Sequence, residues 1–128
     1  MKLQTAEQRA FAIAKAASAI KALDVVILDV RKVSSFTDFL VLASGTSDRQ
    51  VSAIADSVQR DLKEQGERPM GVEGAQNAHW ILVDYMDVVA HVFHQDDRQF
   101  YQLEKLWADA KRIDYVDEPV VKKAKSSK

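Results

Sequence analysis

The chain has 128 residues, 47% of them apolar and 29% charged, with 18 Lys and Arg against 19 Asp and Glu. A domain of that size buries about two-thirds of the surface its unfolded chain exposes, and no apolar run approaches the roughly 18 residues that would span a bilayer. Without cysteine there is no disulfide framework, thiol chemistry or cysteine-type zinc site, which fits a cytoplasmic protein. The charge is uneven: residues 1–118 carry 14 basic and 19 acidic side chains, a net of −5, whereas Pro119 to Lys128 add four lysines and no acid. A mildly acidic body is a poor footprint for gripping nucleic acid over a broad face. The expected organisation is one domain over residues 1–118 and a basic, disordered, solubilising tail at 119–128, whose lysines could touch RNA phosphates.

Thr5 followed by Gln8 is a capping-box pattern, and Leu3, Ala6, Ala10, Ile13, Ala17 and Ile20 recur at spacings of three and four. They predict a first helix with a narrow, small-residue face. No arginine-rich or apolar leader precedes it, so no transit or signal peptide is expected. Asp24 to Val30 is a β-branched run that predicts a strand, Arg31 to Ser35 supply a polar break, and Asp38 to Ala43 predict a second strand covered on both faces. In the turn from Ser44 to Gln50, Ser47 caps the next helix and Gln50 completes a second capping box. Val51, Ile54, Val58 and Leu62 give that helix its apolar face, and Gly66 ends it in a left-handed conformation.

Arg68 to Val72 predict a short strand, and Glu73 to Asn77 a loop. Trp80 to Val83 and Val88 to Phe93 then form a hairpin across the turn Asp84-Tyr85-Met86-Asp87. After His94 the period changes: Phe100, Leu103, Trp107 and Ala110 predict a last helix laid on the hairpin. The order αββαβββα implies a mixed sheet of about five strands flanked by helices, an α/β or α+β sandwich.

Candidate chemistry is sparse. The turn Ser44 to Asp48 at a helix start has the character of an anion site, but it lacks both the Gly-x-x-x-x-Gly-Lys and the Gly-x-Gly-x-x-Gly patterns, and a helix cap explains it as well. Asp84 and Asp87 lie three apart across a turn, a spacing that does not place two carboxylates on one strand face for a metal. His91 and His94, with His79 and Asp84 nearby, form a tempting metal cluster, yet residues three apart on a strand point to opposite faces. No serine lies in a Gly-x-Ser-x-Gly elbow. What remains is surface. Trp80, Tyr85, Met86 and Phe93, with Asp84, Asp87 and His91 among them, have the aromatic, Met and polar-rim composition of a protein interface. The alternative is that Trp80 and Phe93 are core and Tyr85 is a wet turn residue; Trp107 reads as core.

Asp38-Phe39-Leu40-Val41, Ser44 to Asp56, Glu73-Gly74, Trp80 to Tyr85, Asp87 to Phe93, and Arg98 with Tyr101 to Trp107 stand in this order along the chain. Together they resemble the ribosomal silencing factor family (RsfS, Iojap-related), and the likeness covers nearly all of residues 4–110. Met86 departs from it, standing where the family usually has glycine, and Ala90 replaces a larger β-branched residue. Glycine adopts φ > 0 at no steric cost, so Met86 predicts a strained turn or a different turn type.

The resemblance implies a nucleotidyltransferase-like fold without the catalytic acids, in a protein that is not an enzyme and holds no cofactor or metal. It implies binding to the large ribosomal subunit through ribosomal protein fourteen, steric exclusion of the small subunit, repression of translation, and a homodimer off the ribosome. On that reading the docking residues are Trp80, Asp84, Tyr85, Met86, Asp87, His91 and Phe93, with Arg98 and Tyr101 beside them. The acidic body suits a basic ribosomal protein. The competing reading is a divergent nucleotidyltransferase-like enzyme using the Ser44–Ser47 turn for phosphate and Asp84 or Asp87 for Mg²⁺. A third is a free RNA-binding domain using the tail.

Overall fold

The capping box at Thr5 sets the start of the first helix: Thr5 Oγ1 accepts from the Gln8 N–H at 3.1 Å, and the Gln8 carbonyl oxygen accepts from the Thr5 N–H at 3.2 Å. The computed structural model describes Leu3 and residues 5–76, 78–97 and 108–115. Its elements are α1 (Ala6–Ala19), β1 (Leu23–Asp29), β2 (Phe39–Gly45), α2 (Asp48–Glu64), β3 (Gly71–Glu73), β4 (Trp80–Asp84), β5 (Val88–His94) and β6 (Lys111–Asp114). Residues 95–97 are helical. Both long helices close with the same hydrogen-bond pair. Glu67 N–H and Gly66 N–H bond back to Leu62 and Lys63, as Ala22 N–H and Lys21 N–H do to Ala17 and Ser18. The turning residue is glycine in one case (Gly66, φ 86°) and lysine in the other (Lys21, φ 69°).

The strands form one six-stranded sheet in the order β3-β4-β5-β2-β1-β6. β2 and β5 run parallel and the other pairs antiparallel. The helices cover one face. Ile13, Ala14 and Ala17 of α1 and Val51, Ile54, Val58 and Leu62 of α2 pack there on Ile27, Val41, Ile81, Val83 and Val92. The predicted stripes of both helices are therefore the buried ones. Small residues on α1 let α2 come close enough for the buried Ser57 Oγ to donate to the Ala16 carbonyl at 3.1 Å. On the opposite face Val26, Leu28, Val30, Leu40, Leu42 and Phe93 form a second core cluster. β2 lies between the two and is buried along its whole length.

The sheet has six strands rather than the five expected. β6 escaped the sequence reading because only Ile113 of Lys111-Arg112-Ile113-Asp114 is apolar. Its pairing is nonetheless specific, with Ile113 opposite Ile27 and Lys111 opposite Asp29. Ala110 sits in a bend just before β6 and so is not helical as expected, although it packs against the cluster that contains Phe93. The rest of that stripe, Phe100, Leu103 and Trp107, lies outside the described residues, as does the tail at 119–128. Gln50 also differs from expectation. Its side-chain oxygen accepts from Thr46 N–H (2.7 Å) and Thr46 Oγ1 (3.0 Å), while its amide donates to the Lys21 carbonyl (3.1 Å). It thus ties the start of α2 to the end of α1 instead of closing a capping box on Ser47.

The turn between β4 and β5 is strained at Met86, where φ is 77°. Asp87 N–H donates to the Tyr85 carbonyl at 3.0 Å, so Met86 is the centre of a γ-turn of the rare positive-φ kind. The Asp84 carboxylate holds the turn by accepting from Met86 N–H at 2.7 Å. A non-glycine residue in such a conformation costs about 1–3 kcal/mol, and Met86 is 59% exposed, so little packing offsets it. Met86→Gly is expected to stabilise the fold by about 1 kcal/mol after the added entropy of an unfolded glycine is subtracted. Thermal unfolding would show this as a rise of a few degrees; an unchanged or lower Tm would refute the strain.

Candidate interaction site

Strand alternation divides the hairpin between the two faces. Ile81, Val83, Val88, Ala90 and Val92 face the helices, which leaves Trp80, Leu82, Val89, His91 and Phe93 on the opposite face. Cross-strand pairing sets Trp80 opposite Phe93 and Leu82 opposite His91. Phe93 is 0% exposed and forms the floor. Trp80 lies on it at a ring-centroid distance of 5.2 Å and His91 at 6.0 Å, the latter nearly parallel at 12°. Trp80 Nε1–H donates to His91 Nδ1 at 3.1 Å, which fixes the indole and requires an unprotonated Nδ1. Burial pushes the His91 imidazole down to about 4, so at neutral pH it is uncharged and fit to accept that bond. The result is a rigid platform of half-buried Trp80, Leu82, Val89 and His91 on a buried aromatic base.

A shallow cleft of about 280 Å³ lined by Glu73, Gly74, Trp80 and Leu82 adjoins the platform. Gly74 makes its near wall: φ is 83°, and a Cβ there would collide with the Trp80 carbonyl oxygen. Only glycine lets the β3–β4 loop close over the start of β4.

The tip of the hairpin is built differently. Tyr85 is 6% exposed and belongs to the helix-side core. Burial, and then the Glu67 charge, pushes its phenol up to about 12, and its hydroxyl has no hydrogen-bond partner among the described residues. Asp87 is engaged from two directions. Its Oδ2 takes Arg9 Nη1 at 2.7 Å, and its carbonyl accepts from Asp38 and Phe39 N–H at 2.9 and 3.1 Å. Arg9 also reaches Glu67 at 3.1 Å, so one guanidinium joins α1, the end of α2 and the hairpin tip.

The expected interface is therefore corrected at two residues: Phe93 is buried in the cluster of Val26, Leu28, Leu40 and Leu42 beneath Trp80, and Tyr85 turns inward into the helix-side core. Trp80, Asp84, His91 and Met86 keep solvent-facing parts. Asp87 is a structural anchor. Arg98 and Tyr101 lie outside the described residues. Leu82 was missed, although the same alternation that exposes Trp80 places it there.

Of the groups of the competing readings, His91 stands apart against Trp80, while the His79 and His94 rings lie 6.0 Å from each other, with His79 3.2 Å from Asp97 and 3.6 Å from Asp48 and His94 3.8 Å from Asp96. Among the described residues no three metal-ligating side chains converge. At the Ser44–Ser47 turn, Thr46 N–H donates to the Gln50 side chain and Gln50 N–H to the Ser47 hydroxyl. Asp84 holds Met86 N–H, and Asp87 holds Arg9.

The sequence family described as "Ribosomal silencing factor during starvation" matches residues 3–128. The chain belongs to the ribosomal silencing factor family. A family member from Halalkalibacterium halodurans, named ribosomal silencing factor RsfS, is 44% identical over 94 residues, 73% of this chain and 80% of that one. The chloroplastic protein Iojap of Zea mays is 36% identical over 105 residues, 82% of this chain but 46% of its own length. A crystallised protein from Chromobacterium violaceum superposes with a TM-score of 0.80 at 37% identity, covering 89% of this chain and 95% of that one. The silencing-factor fold is thus a mixed α+β sheet flanked by helices, and the family's names place it in ribosome-linked control of translation.

Proposed function

We propose that the protein is a non-catalytic repressor that docks on the large ribosomal subunit through ribosomal protein fourteen and blocks joining of the small subunit. It would act in the cytoplasm and pair with itself when off the ribosome. The observation that carries the reading is the Trp80 platform, a half-buried indole preorganised on Phe93 and hydrogen-bonded to His91, which is the kind of aromatic anchor that dominates protein interfaces. Family membership supplies the ribosome, and the net charge of −5 over residues 1–118 favours approach to a basic ribosomal protein over bare RNA. Occlusion needs no chemistry, and Asp84 and Asp87 each serve the hairpin tip, Asp84 by accepting from Met86 N–H and Asp87 by holding Arg9.

The test is sedimentation of the purified chain with large subunits, small subunits and joined ribosomes. Recovery with large subunits alone, and loss of joining as protein is added, is the expected result. Trp80→Ala should weaken recovery at least tenfold, with Trp80→Phe retaining the fold as a control. Equal binding by Trp80→Ala and the parent would remove the platform as the docking site.

A further inference from the structure

Six large apolar side chains are exposed among the described residues, and four of them, Val33, Phe36, Met70 and Met86, lie at one end of the sheet. Val33 and Phe36 belong to the loop between β1 and β2, Met86 to the β4–β5 turn, and Met70 immediately precedes β3. Backbone hydrogen bonds join these segments: Asp38 and Phe39 N–H donate to the Asp87 carbonyl, and Met70 N–H donates to the Asp84 carbonyl. In the sheet the strands concerned follow as β1, β2, β5, β4, β3. At a strand spacing of about 4.8 Å the row extends about 19 Å. Trp80 begins β4 and Asp84 ends it, so Trp80 lies about 13 Å away at the other end of the strand, while Val89, at the near edge of its platform, pairs with Asp84.

Phe36 is the anchor. It is 89% exposed, yet its loop is well held. Val33 and Ser34 N–H both bond to the Val30 carbonyl (3.0 and 2.8 Å), and Ser34 Oγ accepts from the N–H groups of Phe36 and Thr37 (3.1 and 3.4 Å). A fixed loop thus holds an aromatic ring in water where it packs on nothing in its own fold. Met70 and Met86, at 67% and 59% exposure, add adaptable side chains that mould to a foreign apolar surface.

The charges select the partner. Arg9 is held between Glu67 and Asp87, and Arg31 is paired with Asp29 at 2.6 Å while lying over the Phe39 ring. Lys32, Arg68 and Lys111 are matched in number by Asp38, Asp84 and Asp109. With no positive excess, this end is unsuited to a phosphate backbone. We propose that the row Val33, Phe36, Met86 and Met70 is a second docking surface, at the opposite end of β4 from Trp80, that takes an apolar segment of a ribosomal protein. The proposal rests on the ribosome-docking reading above.

It is tested on the full chain with photoreactive benzoylphenylalanine at position 36, and at Arg60 on the outer side of α2 as a control, irradiated with isolated large subunits. The expected result is an adduct between position 36 and a ribosomal protein, with none from position 60. Phe36→Ser is expected to keep the parent melting temperature and bind large subunits about tenfold more weakly. An adduct with ribosomal RNA or with a second copy of the chain overturns the proposal, as does unchanged affinity of Phe36→Ser while the parent sediments normally. Failure of the parent to sediment overturns the ribosome reading itself and this proposal with it.

Discussion

Replacing Phe93 with alanine is expected to destabilise the protein by about 3–5 kcal/mol, a large part of the whole stability of a domain this size. Phe93 is fully buried beneath Trp80 and His91 and packs with Val26, Leu28, Leu40 and Leu42. Removing the ring opens a cavity under a β-strand whose backbone is fixed on both sides, by β4 and by β2, so the site can collapse only partly. Chemical denaturation should show the transition midpoint falling steeply with an unchanged slope. The contrast with Trp80 separates the two roles. Trp80→Ala removes a half-buried ring from the top of the same stack, so binding suffers more than stability, whereas Phe93→Ala loses the fold first. A Phe93→Ala chain with the parent midpoint and impaired ribosome binding would return Phe93 to the docking surface.

How much of this was legible in the sequence depends on how local the controlling physics is. Thr5 with Gln8, Ser47 before α2 and Gly66 after it act within one helical turn, and the structure keeps all three in those roles. The apolar stripes of α1 and α2 were legible for the same reason. Gln50 misled because its side-chain oxygen accepts from Thr46, one residue before the cap, in an orientation that also lets its amide reach the carbonyls at the end of α1. β6 was missed because a four-residue edge strand with three charged side chains leaves no periodic signal, and its pairing with β1 spans more than 80 residues of chain. The Trp80–Phe93 hairpin was legible as a hairpin, and period-two alternation already placed Phe93 with Trp80 rather than in the turn. What composition lacked was the burial of that shared face by Leu40, Leu42 and Leu28, a tertiary fact. Tyr85 was misplaced for a related reason. A tyrosine in a turn is ordinarily wet, but the γ-turn at Met86 and the Arg9 link at Asp87 draw it into the helix-side core.

The second large effect expected is a loss of stability on mild acidification, traceable to His91. In the unfolded chain its imidazole titrates near the ordinary value of 6.5, while burial holds it at about 4 in the fold. Between those values the unfolded chain binds a proton that the folded one refuses, so stability falls as pH falls. His91 imposes no penalty above pH 6.5. The penalty then grows by about 1.4 kcal/mol per pH unit and levels off below pH 4 at about 3 kcal/mol. Protonation at Nδ1 would also remove the acceptor for Trp80 Nε1–H, so the platform and the fold resist the proton together. Denaturation midpoints of the parent and of His91→Gln, measured from pH 7.5 down to about 4.5, give the comparison. Glutamine can still accept from the indole but does not titrate, so the parent should lose stability faster than the variant, and the gap between them should change most below pH 6.5. A folded-state imidazole resonance for His91 titrating near 6.5, or parallel pH profiles for the two proteins, would show that the ring is solvated rather than sealed between Trp80 and Phe93.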